Sequence, residues 1–298
     1  MNDIMRLLEY IKLLRVHQWY KNAVIFLALL FVGELFSLGL FEKTFIGFFG
    51  LCFISSANYI LNDIIDVKKD RLHPEKKSRP LASGSVKIFE AIILLIVMLF
   101  LGIYIGYSIS ISFLACLLFL FLFTIVYSLL LKNEFIADVV SIAINFVVRA
   151  IAGTFIIGVF ISPWLVLCPF FLALFLAVGK RKADLKFMKT KAYGHKEVLK
   201  YYTPEITNAL MLISTACLIL AYSLYAISRT PLLLITLPFA IYIVFRYYYL
   251  VNNGSEIGRH PELIYKDWRI MIGLAMLIAI ILLIFYVIQP YASSFLLL

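Results

Sequence analysis

Charge, histidine and cysteine are all scarce in this chain. Of its 298 residues only 15% are charged and 63% are hydrophobic, whereas a soluble domain carries about 25% charged and about 45–50% apolar residues. That shortage, with a mean hydropathy of +0.99, excludes a soluble globular protein. Cys52, Cys116, Cys168 and Cys217 stand singly in apolar segments. With no CxxC spacing, they point to small core residues and away from a disulfide framework. His17, His73, His195 and His260 have no second His or Cys at ligand spacing, which argues against zinc. Walker A, GxSxG, HExxH and GxGxxG patterns are missing. A short apolar signal core is missing too, because Arg6, Glu9, Lys12 and Arg15 interrupt the first twenty residues.

What the chain has instead is long apolar runs. Nine are long enough to cross a bilayer core of about 30 Å, which takes roughly 20 helical residues. They cover 22–41, 44–62, 88–107, 109–131, 136–160, 163–179, 206–228, 231–251 and 270–289. Backbone groups in lipid must be satisfied within the segment, so these runs are expected to be helices. Ahead of them, residues 3–15 place Ile4, Leu7, Leu8, Ile11 and Leu14 on one face, the pattern of an interfacial amphipathic helix. The expected architecture is all-α: a polytopic bundle of nine transmembrane helices in a single domain, 1–298, with an N-terminal interfacial helix and hydrophilic cap loops.

The formal charge of +10 invites a nucleic-acid reading, but its distribution does not support one. Of the 27 Lys and Arg, 23 fall on one side of the nine-span arrangement and 2 on the other. Such an excess marks the cytoplasmic side. The N-terminus is expected inside, the C-terminus outside, and loops 63–87 and 180–205 both cytoplasmic.

The most informative stretch is 62–84, NDIIDVKKDRLHPEKKSRPLASG. Asp63, Asp66 and Asp70, like Asn62, Asp66 and Asp70, fall on one helix face at about 100° per residue. Carboxylates gathered this way repel unless a cation joins them. An oxygen-only donor set suits Mg²⁺, which bridges protein carboxylates to substrate phosphates. Lys76, Lys77 and Arg79 follow as donors to the remaining phosphate oxygens. The second loop opens GKRKAD, where Lys180 and Arg181 leave the membrane boundary on the same side as candidate phosphate ligands. Lys180 and Asp184 share a face at i, i+4. Tyr127 and Lys132 end the fourth span and are expected to line the same pocket. Arg149, inside the fifth span, needs a partner, either a protein acid or an anionic ligand, because ionisable groups there are costly and functional. Asp138, eleven residues away, is poorly spaced to serve.

NDIIDVKKD followed by RPLASG resembles, in full, the NDxxDxxxD motif of the UbiA superfamily of intramembrane prenyltransferases. The second motif departs from that pattern. Where prenyl diphosphate users carry an aspartate pair, this chain reads KRKAD, with Lys180 in the first place and only Asp184 remaining. QWYKN (18–22), YSLLLK (127–132), VVRAIAG (147–153), GKRKADL (179–185) and HPELIYKDWR (260–269) are similar to the decaprenyl-phosphate phosphoribosyltransferase branch. That resemblance implies Mg²⁺-dependent transfer of 5-phosphoribose from phosphoribosyl diphosphate (PRPP) to a polyprenyl phosphate in a prokaryotic inner membrane. It implies Asn62, Asp66 and Asp70, with Asp63 assisting, on the metal. Lys76, Lys77 and Arg79 would meet the leaving diphosphate, Lys180 and Arg181 the 5-phosphate or acceptor phosphate, and Lys21 whichever phosphate remains. Asp66, Asp70 and Lys180 are the expected catalytic residues. An ordinary prenyltransferase acting on an aromatic or lipid acceptor, and a transporter or lipid-binding protein, are the alternatives.

Overall fold

The computed structural model describes residues 3–72, 76–188 and 197–288, and helix is its only regular structure. The helices are α1 (Asp3–Leu14), α2 (Leu27–Val32), α3 (Leu38–Leu72), α4 (Pro80–Ser83), α5 (Ile88–Ile109), α6 (Ile111–Leu129), α7 (Ala137–Ile157), α8 (Pro163–Met188), α9 (Pro204–Arg229), α10 (Leu237–Asn252), α11 (Glu256–Arg259) and α12 (Trp268–Leu283). Short 3₁₀ runs join several of them, the longest being Val16–Phe26.

Eight helical segments among the described residues are long and apolar enough to cross a membrane. The ninth expected crossing, 22–41, is not one long helix. Its place is taken by the Val16–Phe26 3₁₀ run and α2, and the break expected at Glu42–Lys43 falls at Gly33. The cause is local. Gly33 adopts φ +84° and closes α2 through bonds from its N–H to the Leu29 and Leu30 carbonyls, a conformation that costs glycine little. Glu42 and Lys43 are good helix formers and pass through the first turns of α3. The rise per residue is about 2.0 Å in 3₁₀ and 1.5 Å in α-helix. The 17 residues Val16–Val32 therefore still reach about 31 Å.

α3 is the other departure. At 35 residues it is about 50 Å long, and its last three turns carry the whole aspartate motif that was expected in a loop. Loop 180–205 likewise begins as helix, since α8 runs through Met188.

The helices fall into two compact units. The first holds residues 1–132 and 145–161, so it includes α1 to α6 and the later part of α7. There α3 packs on α5 through glycines: a Cβ on Gly50 would lie 3.0 Å from Ile105, and one on Gly102 2.7 Å from Ile54. Small residues permit such close approach where lipid offers no hydrophobic drive between helices. Leu13, Ala57, Ile60, Leu81, Val86 and Ala91 form the core under the motif. The second unit holds 133–144 and 162–298, with Phe175, Val178, Met211, Tyr247 and Val251 at its centre.

Candidate active site

In the first unit, Arg79 organises the motif. Pro80 starts α4 at a position where its missing N–H costs nothing, and Gly84 ends it at φ +80°. Leu81 anchors that single turn in the core. Held there, the Arg79 guanidinium donates to Asp63 Oδ1 at 3.0 Å and Asp70 Oδ2 at 2.7 Å. Both carboxylates are buried. A second arginine, Arg15, donates to Asp63 Oδ1 at 2.5 Å and lies 4.9 Å over the Tyr59 ring. Lys76 stands 3.7 Å from Asp70. Lys132 reaches both oxygens of the half-buried Asp66, at 3.2 and 3.3 Å. Three carboxylates thus face four cations, which relieves their mutual repulsion without any ion.

Asn62 is half-buried on the face shared with Asp66, and its side chain has no partner among the described residues. Lys77 is exposed, and Tyr127 is half-buried at the end of α6. Lys21 donates to Gln18 at 3.2 Å, one turn back along the 3₁₀ run. Among the described residues no three Asp, Glu, His or Cys side chains converge as a metal cage.

Arg149 lies deeper in the same unit. Its Nε donates to Asn22 Oδ1 and its Nη1 to the Asn145 carbonyl, each at 2.9 Å. Asn22 in turn donates to Cys52 Sγ at 3.3 Å and accepts from Ser55 Oγ at 3.4 Å. Thr124 donates to Asn145 Oδ1 at 3.1 Å.

The second unit separates the basic residues of α8. Arg181 is 2% exposed and donates from Nε to Asp138 Oδ2 at 2.7 Å. Asp138, fully buried, also accepts from the Tyr202 hydroxyl. Burial, reinforced by that carboxylate, pushes the Tyr202 phenol well above its ordinary range. Arg181 was expected to grip a phosphate; it is a buried structural ion here, because Asp138 meets it inside the fold. Asp184 pairs with Arg259 at 3.4 Å and lies 3.9 Å from Arg181. Lys182 donates to Asn252, and its ammonium lies 5.2 Å over the Tyr248 ring. Lys180 alone of the three is half-buried with no hydrogen bond or ion pair among the described residues.

Sequence reasoning missed Arg15 and Asn22 as parts of these clusters. Arg15 reaches Asp63 from a left-handed backbone, φ 52°, a conformation non-glycine residues hold only under constraint. The available signal was its position directly before the first apolar run.

These features define a membrane-embedded helical protein with a charged, aspartate-bearing site at one end of a long helix. The chain belongs to the UbiA prenyltransferase family, which it matches over residues 22–260. It is 29% identical over 223 residues to the decaprenyl-phosphate phosphoribosyltransferase of Mycolicibacterium smegmatis, covering 74% of this chain and 70% of that one. The Mycobacterium tuberculosis protein of the same name is 26% identical over 261 residues, 85% of each. Among solved structures, a UbiA homologue from Archaeoglobus fulgidus bound to DMAPP and Mg²⁺ superimposes with a TM-score of 0.69. It is 22% identical, and the match covers 94% of this chain and 99% of that one. That likeness carries the fold.

Proposed function

We propose that the chain, as a single transferase domain, transfers 5-phosphoribose from PRPP to a polyprenyl phosphate, with the site facing the cytoplasm of a prokaryotic cell. The observation that carries this reading is the second motif. It presents an ammonium, Lys180, with no hydrogen bond or ion pair among the described residues, where a prenyl diphosphate enzyme would present a carboxylate, and its one acid, Asp184, is held by Arg259. PRPP brings a 5-phosphate as well as a diphosphate, and an extra phosphate calls for a cation.

In the reaction, the bond from ribose C1 to the diphosphate oxygen breaks and a bond from C1 to an acceptor phosphate oxygen forms, with diphosphate leaving. The acceptor oxygen is already anionic near neutral pH, so no general base is required. Charge develops on the departing diphosphate and on an oxocarbenium-like ribose, as in glycoside cleavage. Lys76, Lys77 and Arg79 would receive the former, and orientation would supply much of the remainder.

Mg²⁺ fits the donor set. It takes one or two carboxylates plus substrate phosphates and keeps waters, so a cage of three acids is not needed. Asn62, Asp66 and Asp70 would hold it, and when bound it would neutralise the diphosphate. Asp63, engaged by two arginines, would fix Arg15 and Arg79 in place. Lys132 would move from Asp66 towards phosphate. Lys180 would bind the 5-phosphate, and Lys21 and Tyr127 would complete the pocket wall. Arg181 and Asp184 would set the course of α8. Nine crossings remain part of the proposal, with Val16–Val32 as the short one. The Lys and Arg asymmetry supports an N-terminus inside.

The test is purified protein with Mg²⁺, labelled PRPP and decaprenyl phosphate, reading label that moves into the lipid phase. Movement that EDTA or Asp66→Asn stops supports the reading, and Asp66→Asn should remain folded. A second reading, prenyl transfer from a prenyl diphosphate, is favoured by the DMAPP bound to the A. fulgidus homologue. Consumption of a prenyl diphosphate with an aromatic acceptor, and none of PRPP, would decide for it.

A further inference from the structure

Arg149 carries charge into the apolar part of the first unit with only neutral company. A guanidinium has five N–H donors, and two of them are used, on Asn22 Oδ1 and the Asn145 carbonyl. The Phe146 ring lies 5.9 Å from it. No carboxylate pairs with Arg149 among the described residues, whereas the buried Arg181 is met by Asp138. A buried charge without a counter-ion is costly. The cost is offset if an anionic ligand supplies the missing charge.

A second observation bears on which anion. Asn22 is bonded to Cys52 and Ser55 of α3, and the same helix carries an aromatic ladder. Trp19 bonds Ser56 through its indole N–H at 3.0 Å and meets Phe49 and Phe53 edge-on at 6.2 and 6.1 Å. From Phe49 the rings continue to Phe45 at 5.2 Å and on to Phe41 at 6.3 Å. Phe41 and Phe45 are 39% and 47% exposed, so the ladder's far end faces the surrounding apolar phase. From Phe53 to Phe41 it runs about 18 Å along the helix. A sugar phosphate has no use for such a surface, whereas a polyunsaturated hydrocarbon chain does.

We infer that Arg149 and the aromatic ladder of α3 form the acceptor's site: the guanidinium takes the phosphate of a polyprenyl phosphate, and the rings of α3 carry the first part of its chain. This rests on the phosphoribosyl-transfer reading for the acceptor's identity. It assigns the donor to the aspartate end and the acceptor to the span, with Asn22 as the positioning residue that orients the guanidinium.

The test compares wild type with Arg149→Met, Arg149→Lys and Asn22→Asp in detergent micelles. Asn22→Asp is nearly isosteric and supplies the carboxylate that Arg149 lacks, so it should mimic Arg149→Met without opening a cavity. Binding of labelled decaprenyl phosphate is measured against its neutral alcohol, decaprenol. The wild type should prefer the phosphate by about tenfold or more, as charged hydrogen bonds allow. Arg149→Met and Asn22→Asp should abolish that preference, and Arg149→Lys should restore part of it. In turnover the KM for acceptor should rise by about tenfold while that for PRPP stays within about twofold. A phosphate preference that survives Asn22→Asp, or a rise in the KM for PRPP instead, overturns the assignment. If the preference depends on Arg149 but no label moves from PRPP, the lipid site stands and the phosphoribosyl-transfer reading falls.

Discussion

Replacing Arg79 with methionine removes the Nη1 that joins Asp63 to Asp70. Breaking a fully buried ion pair by deleting one partner costs about 3–5 kcal/mol, because the remaining charge stays desolvated. Here the carboxylates are 3% and 4% exposed, while the Arg79 side chain is 29% exposed. Water can therefore enter where the guanidinium leaves. Arg15 remains 2.5 Å from Asp63, and Lys76 3.7 Å from Asp70. Both considerations lower the expected cost to about 2 kcal/mol, a roughly 30-fold shift in the unfolding equilibrium. Arg79→Lys should recover about half of that or more, since both bonds leave the single nitrogen Nη1 and an ammonium can also donate twice from one nitrogen. The assay is unfolding in a mild detergent, followed alongside phosphoribosyl transfer. A methionine variant as stable as wild type would refute the view that Arg79 holds the motif together.

Other expectations follow from the same geometry. A Cβ on Gly153 would lie 2.2 Å from the Ile25 carbonyl oxygen, and backbone cannot yield as a side chain can. Gly153→Ala should thus destabilise by about 1–3 kcal/mol in the same unfolding assay. Asp138→Asn or Arg181→Met alone should each cost about 3–5 kcal/mol, while the double replacement recovers much of the loss; additive losses in the double-variant cycle would count against a buried pair. Asp267 caps α12 through the Ile270 N–H and accepts from Arg246 at 2.8 Å. Burial opposes its charge, but these bonds prevail and hold its carboxyl below the ordinary carboxylate value. Its contribution is complete above that ordinary value and is lost as pH falls through the depressed one. Acid titration of unfolding should therefore show a component that Asp267→Asn lacks.

Much of this arrangement was legible from residue order. Apolar runs located eight of the crossings, and helical phase put the three aspartates on one face, because both depend on local periodicity. The reading that Arg149 needs a partner also came from local context. What local context cannot supply is the neutral neighbour that orients its guanidinium, Asn22, 127 residues away. The same limit hid the difference between Lys180 and Arg181. They are adjacent cations in one run, and only Asp138, brought in from another helix, decides which of them turns inward. The first crossing was misjudged for a different reason. A single glycine at positive φ ended α2, and hydropathy averaged over a window smooths such a break away.

The Asp138–Arg181 bond also bears on how the chain is made. The two residues are 43 apart in sequence. At a synthesis rate of about 5–20 residues per second, the acid emerges about 2 to 9 s before its base. Through that interval the start of α7 has no cation to accompany its carboxylate out of water. Its entry must wait at the membrane surface until α8 has left the ribosome, so these two helices are expected to be delivered to the bilayer as a pair.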